Sequence, residues 1–233
     1  MTTFSTSKFK LIQFSEAIIL IEFCYSAETR RGKVAINRKW DATKSTMAGD
    51  YILAVGSKIL AQIRHEEVLI VLSQVLADLV RGEFQQLQNK TDSSERFQLY
   101  LAKTFNKTAS LIAYSAKANA LLSSTHSKTP EEAAAHAEAA YSYGRNVGIA
   151  FQLVDDLLDF VASSEQLGKP AAADLKLGLA TAPVLFATKK FPELEEMIAR
   201  RFKNAGDVEK AFELVRNPYL NHNLRIKCNA NSL

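Results

Sequence analysis

The sequence predicts an all-α protein. Apolar residues recur at helical spacing over stretches of about 20 residues, and no segment alternates as a half-buried strand does. Nine Gly and five Pro in 233 residues are few, which leaves room for long uninterrupted helices. Hydrophobic residues make up 47% of the chain, enough to fill a core. This length suits one large helical domain or two small ones.

Taken in order, residues 1–24 form a mixed apolar segment readable as helix or strand. Ala27–Lys33 is a polar, basic loop. Helix is predicted from about Thr43 to Gln62, on Met47, Tyr51, Leu53, Val55 and Ile59. A second runs from about Glu66 to Leu87, through Val68, Leu72, Val75 and Leu79. A third starts near Ser93-Ser94-Glu95, a cap-like group, and runs to about Leu122. Ser123–Lys128 is a linker. Thr129-Pro130-Glu131-Glu132 is a helix start: a capping residue, Pro at the first position, then acids in the first turn. That helix extends to about Ser164, where Gly168-Lys169-Pro170 breaks it, and residues 168–180 form a loop. Shorter helices follow at Ala182–Thr188, Pro192–Arg201 and Val208–Leu214. From Asn217 the periodicity is lost and the chain reads as a polar tail. There is no internal repeat.

Net charge is +4 and the pI is near 9.0, but the basic residues are dispersed and no aromatics interleave them. That argues against a nucleic-acid surface and for a basic cleft that takes a small anion. Cys24 and Cys228 lie near opposite ends without ligand spacing, which excludes a disulfide framework and a zinc site and suggests a reducing compartment. The most apolar run, Ala17–Ile21, is interrupted by Glu22, so no segment is long enough to span a bilayer. The first fifteen residues are rich in Ser and Thr, with two Lys and no acid; they faintly resemble a mitochondrial leader but lack Arg. His65, His126, His136 and His222 share no ligand spacing and are read as structural or exposed, and Trp40 as packing.

The chemistry centres on Phe151–Phe160. At 100° per residue, Val147, Phe151, Val154, Leu158 and Val161 form one stripe at core spacing. Ile149, Leu153, Leu157 and Phe160 cover most of the other side. One polar stripe remains, holding Gln152, Asp155, Asp156 and Asp159. A helix that is apolar nearly all round is usually buried. Its carboxylates would then face an interior cleft, where unpaired charge is costly. A divalent cation offsets that cost, and oxygen-only ligands suit Mg²⁺, which shares a substrate's phosphates. A solvated acidic patch on a surface helix is the competing explanation.

Cations are placed to meet such a phosphate. Arg30-Arg31-Gly32-Lys33 combines guanidiniums that grip phosphate bidentately with a Gly that permits close backbone approach; a solvated charge run looks the same. Lys107-Thr108 interrupts a helix of small and apolar residues, as phosphate ligand and hydroxyl donor or as a snorkelling surface lysine. Lys169 and Lys176 flank the loop beyond the Asp helix and either close over the same ligand or lie exposed. No Ser/His/Asp or Cys/His nucleophile system and no Gly-rich phosphate loop is present. Carboxylates for a metal and cations for phosphate suit ionisation of a diphosphate leaving group.

In order and spacing, Arg30-Arg31-Gly32-Lys33, Gly49-Asp50-Tyr51, Gly82-Glu83-Phe84, Lys107-Thr108-Ala109-Ser110, Phe151-Gln152 with Asp155-Asp156 and Asp159, Gly168-Lys169-Pro170 and Asp174–Gly178 resemble a trans-polyprenyl diphosphate synthase. The resemblance covers about residues 27–216. Residues 1–26 are an atypical N-terminal segment and 217–233 a polar tail, so the expected fold is an isoprenoid-synthase-type helical bundle around a central cleft, truncated at both ends. The family's first Asp-rich motif precedes its Arg-Arg-Gly; here Ile21–Glu28 contains no Asp, and the upstream Gly-Lys-x-x-Arg element is absent.

The resemblance implies a Mg²⁺-dependent prenyltransferase that joins isopentenyl diphosphate to an allylic diphosphate, making a long all-trans polyprenyl diphosphate for the ubiquinone side chain. Carried over by position, Asp155, Asp156 and Asp159 bind metal. Lys107, Gln152, Lys169 and Lys176 meet the allylic diphosphate or its metal cluster, with Lys107, Gln152 and Thr108 as the catalytic set. Arg30 faces the allylic diphosphate and Arg31 the isopentenyl diphosphate. It also implies a mitochondrial location, a homo- or hetero-oligomer with a second synthase subunit, a peripheral membrane contact and no nucleic acid. An inactive truncated isoform acting by subunit association is the alternative expectation.

Overall fold

A computed structural model describes residues 7, 10–14, 29–30, 33–34, 36–87, 95–123, 129–161 and 172–216. They fall in two compact units: residues up to Val80 with Ala109–Arg145, and Arg81–Thr108 with those from Asn146 onward. No described helix is long and apolar enough to cross a membrane.

In the first unit, the expected loop contains a two-residue antiparallel ladder, β1 (Thr29–Arg30) with β2 (Lys33–Val34), pairing Thr29 with Val34 and Arg30 with Lys33. Periodicity over so few residues cannot reveal such a ladder. A single turn, α1 (Ile36–Lys39), leads to α2 (Ala42–Ala61), whose first turn is capped by Asp41 accepting from the Lys44 amide at 2.9 Å. Helix α3 (Glu66–Leu87) starts after His65, whose Nδ1 accepts from the Val68 amide at 3.4 Å. The core is built as the spacing predicts: Val68, Leu72 and Val75 pack with Leu60, Phe14 and Ala118. Each such side chain contributes about 1.5–3 kcal/mol by leaving water.

Of the apolar positions that mark α2, Leu53 and Ile59 are half-buried but the rest are not. Ser45, Gly49, Gly56 and Leu60 are buried, whereas Met47, Tyr51 and Val55 are exposed. Trp40, expected in packing, is also exposed. The period identifies the helix; small residues, not large ones, allow close approach on the buried side. The same logic operates between α5 (Ser110–Ser123) and α6 (Pro130–Val161). A Cβ on Gly144 would lie 2.8 Å from both the Ala113 Cα and the Ile112 carbonyl oxygen. The start of α6 is the predicted one, Thr129 Oγ1 accepting from the Glu132 amide at 3.2 Å.

The second unit holds α4 (Arg96–Thr104), a π-helical turn (Phe105–Ala109) that leads into α5, and the last part of α6. Then come α7 (Ala173–Lys176), α8 (Ala182–Ala187), α9 (Glu193–Ala199) and α10 (Asp207–Arg216). Helix α7 is a correction, because the loop expected over 168–180 contains this helical turn in its described part. Its core includes Phe160, Leu175, Val184, Leu194, Met197 and Val215. A forked pair fixes the last corner: Arg200 Nε and Nη2 each donate to Asp207 at 2.7 Å.

Gly144→Ala tests the close packing. At an open helix site this change stabilises by about 0.5–1 kcal/mol. Here backbone blocks the new methyl, so a loss of about 1–3 kcal/mol is expected, read as a lower Tm.

Candidate functional site

The second unit brings four sequence-predicted residues into two linked groups. Asp156 is 3% exposed. Its Oδ2 accepts from the Tyr100 hydroxyl at 2.6 Å and its Oδ1 from Gln152 Nε2 at 2.7 Å. The Gln152 carbonyl oxygen in turn accepts from the Thr108 hydroxyl at 3.0 Å. The carboxylate needs a donor and the hydroxyl an acceptor, so this chain determines which way the Gln152 amide points. Burial pushes the Asp156 carboxyl above its usual range, while donation from Tyr100 and Gln152 and the positive charge of Lys103 oppose that push. Burial, reinforced by Asp156, raises the Tyr100 phenol as well, so it remains a donor.

Lys107 and Thr108 project from the π-helical turn. A π-turn inserts a residue into a helix and often marks a functional site. Gly82 of α3 lies against it: a Cβ there would be 2.7 Å from Lys107 Cγ and 3.1 Å from the Lys107 amide nitrogen. Asn106 donates to Gln85 at 2.9 Å. Lys107 Nζ donates to Gln86 Oε1 at 3.1 Å and pairs with Glu83 at 2.7 Å. Glu83 is largely exposed, so this ion pair contributes about 0–1 kcal/mol and yields readily to a stronger anion.

The Asp stripe divides. Asp155 is exposed, whereas Asp156 and Asp159 are buried. Asp159 serves the fold as well: its Oδ2 accepts from the Asp174 amide and its carbonyl from the Ala172 amide, each at 3.3 Å, tying α7 to α6. Among the described residues no three acidic, His or Cys side chains form a group able to hold a metal ion. The donor set still fits Mg²⁺, an oxygen-seeking ion bound through one or two carboxylates plus substrate phosphate. The stripe Val147, Phe151, Val154, Leu158 and Val161, expected in the core, is exposed instead. In this unit it is the polar side of α6 that turns inward.

Lys176 is exposed at the end of α7. Arg30 lies in β1, in the first unit; Arg31 and Lys169 lie outside the described residues. Tyr100, Lys103 and Gln86 were not singled out from the sequence, and Glu83 entered only within Gly82-Glu83-Phe84, without a role. A usable signal existed, since Tyr100, Lys103 and Lys107 share one face at i, i+3 and i+7.

The chain belongs to the polyprenyl synthetase family, whose model matches residues 26–215. It is 53% identical over 189 residues to the human protein "All trans-polyprenyl-diphosphate synthase PDSS1", covering 81% of this chain and 44% of that one. It is 44% identical over 220 residues to "Decaprenyl-diphosphate synthase subunit 1" of Schizosaccharomyces pombe, covering 90% and 56% respectively. The chain thus spans about half the length of these relatives. A polyprenyl synthase from Caulobacter crescentus CB15, solved in complex with calcium and isoprenyl diphosphate, matches the fold with a TM-score of 0.78 at 28% identity, covering 95% of this chain and 67% of that chain. The all-α isoprenoid-synthase fold expected from the sequence is therefore the observed one.

Tyr100→Phe tests the buried carboxylate. Asp156 has a raised folded pKa, so its contribution to stability is full below the unfolded value and falls as pH rises through the folded one. Removing the phenol raises that pKa further. Y100F should lose about 1.5–3 kcal/mol at pH 7. Thermal unfolding should show the deficit shrinking toward pH 4.

Proposed function

We propose that this chain carries out chain elongation in trans-polyprenyl diphosphate synthesis. It joins isopentenyl diphosphate to an allylic diphosphate, making the long all-trans precursor of the ubiquinone side chain. The hydrogen-bonded chain Thr108–Gln152–Asp156–Tyr100, beside Lys107, carries the proposal, together with the family match. The names of the relatives support the product class, and the calcium and isoprenyl diphosphate of the Caulobacter structure support a divalent cation beside a prenyl diphosphate.

In this reading Asp155, with Asp156 and Asp159 behind it, would hold Mg²⁺, which neutralises charge on the departing diphosphate. Lys107 leaves Glu83 for the allylic diphosphate, and the Gln152 amide is held beside it by Asp156. The Thr108 hydroxyl donates to Gln152, so its lone pairs are available to the allylic cation left when the C–O bond breaks. Arg30, Arg31, Lys169 and Lys176 are assigned to the two diphosphates by resemblance. The isopentenyl double bond attacks the cation, and loss of a proton regenerates an allylic diphosphate one unit longer.

A subunit partner belongs to the same proposal. Met47, Tyr51 and Val55 on α2 with Leu69 and Ile70 on α3 are apolar and exposed, as at surfaces that associate. The name "subunit 1" of the fission-yeast relative is consistent with such a partner. The mitochondrial location and peripheral membrane contact rest on resemblance.

The test is prenyl transfer by the purified chain with farnesyl diphosphate, labelled isopentenyl diphosphate and Mg²⁺. Elongated product is expected, abolished by chelator and cut by about 10²-fold or more in kcat/KM by Asp155→Ala. Glu83→Gln, which frees Lys107, should lower KM for the allylic substrate. A folded chain that makes no product, or D155A turnover equal to wild type, would overturn the proposal.

A further inference from the structure

The first turn of α4, the end of α8 with the two residues after it, and α9 surround a cavity of about 470 Å³ in the second unit. That volume falls within the roughly 300–1,000 Å³ of small-molecule sites. Among the described residues, none assigned above to metal or diphosphate lines it.

Its apolar wall is aromatic. Phe97 and Phe186 are half-buried and meet in a tilted pair, with ring centroids 4.9 Å apart and planes at 54°. Leu185 beside them is buried. Phe97 also stacks with Tyr100 at 6.0 Å, so its ring is held from within the unit. Aromatic rings favour tilted and offset neighbours over a face-to-face sandwich, and a third ring extends such a cluster.

The charges in the lining leave one cation over. Arg96 pairs with Glu195, joining α4 to α9. Lys189 is exposed and has no carboxylate at ion-pair distance among the described residues. Its Nζ sits instead 5.8 Å from the centroid of the Phe186 ring. A cation–π contact at an exposed site is weak, so it gives way to an anion. The walls need no ligand to hold them: the ion pair ties α4 to α9 and the ring pair ties α4 to α8. A cavity set in advance in this way loses little on binding.

We propose that this cavity binds a monoanionic aromatic molecule, an arylcarboxylate, with its ring against Phe97 and Phe186 and its carboxylate on Lys189. One unbalanced cation matches one negative charge. A diphosphate brings more charge than that, and Glu195 in the lining opposes the excess. A saturated chain would touch the same wall but forgo the ring contacts.

Calorimetric titration of the full chain with cinnamate is the test, with cinnamamide as its neutral counterpart. Cinnamate should bind about tenfold more tightly than the amide, as expected for one charge-assisted contact. Lys189→Gln should remove that preference: cinnamate affinity falls about tenfold and the amide is unchanged. Phe186→Leu should weaken both ligands alike. Lys189 is exposed, so K189Q keeps the fold; should F186L fail to fold, K189Q with the two ligands decides alone. The proposal is overturned if cinnamate does not bind, if it binds wild type and K189Q equally, if folded F186L leaves both affinities unchanged, or if inorganic diphosphate displaces it. No metal or turnover enters this measurement, so its outcome is independent of the prenyl-transfer assay.

Discussion

The site depends on satisfying one buried carboxyl group, Asp156. Burial pushes its pKa up, because removing an ion from water is costly, and hydrogen-bond donors oppose that push. Two donors, the Tyr100 hydroxyl and the Gln152 amide, occupy one oxygen each. Those donors then constrain everything around them. Gln152 cannot turn without losing Asp156, so its oxygen faces Thr108, which lies in the π-helical turn. A buried network of this kind is stable only when every member is satisfied, which makes its geometry specific.

Gly82 explains how the π-turn is held. The extra residue displaces Lys107 toward α3, and any side chain at position 82 would occupy the volume that Lys107 Cγ fills. Gln85 and Gln86, one turn on, accept from Asn106 and Lys107. Two consecutive positions of the turn, Asn106 and Lys107, are therefore placed by a helix more than 20 residues away in sequence. Local propensity has no part in it, which is why a continuous helix was the expectation from sequence.

Element existence was legible because long helices carry their period openly: α2, α3 and α6 start within about a residue of expectation. Faces were less legible. On α2 Met47, Tyr51 and Val55 are exposed while Ser45, Gly49, Gly56 and Leu60 are buried; on α6 the stripe from Val147 to Val161 is exposed and Asp156 and Asp159 are buried. A periodic pattern identifies a helix but cannot say which side meets the core when small residues permit closer approach. The Asp stripe and Lys107-Thr108 were found because charge within an apolar helix is conspicuous. Tyr100 was not, since a buried Tyr looks like ordinary core until its hydroxyl partner is known.

The division of labour along the Asp stripe bears on how a metal would be held. Asp159 spends an oxygen on the Asp174 amide, and Asp156 spends both on Tyr100 and Gln152. Only Asp155 stands at the surface of α6, and the stretch Ile21–Glu28 supplies no Asp. A hard dication needs about six oxygens, so in the proposed reaction most of its shell must come from the diphosphate and water. Metal and substrate would then bind as one unit, each raising the other's affinity by linkage. The buried carboxylates serve that unit through charge and orientation, with Asp156 holding Gln152 and Asp159 holding the segment that carries Lys176.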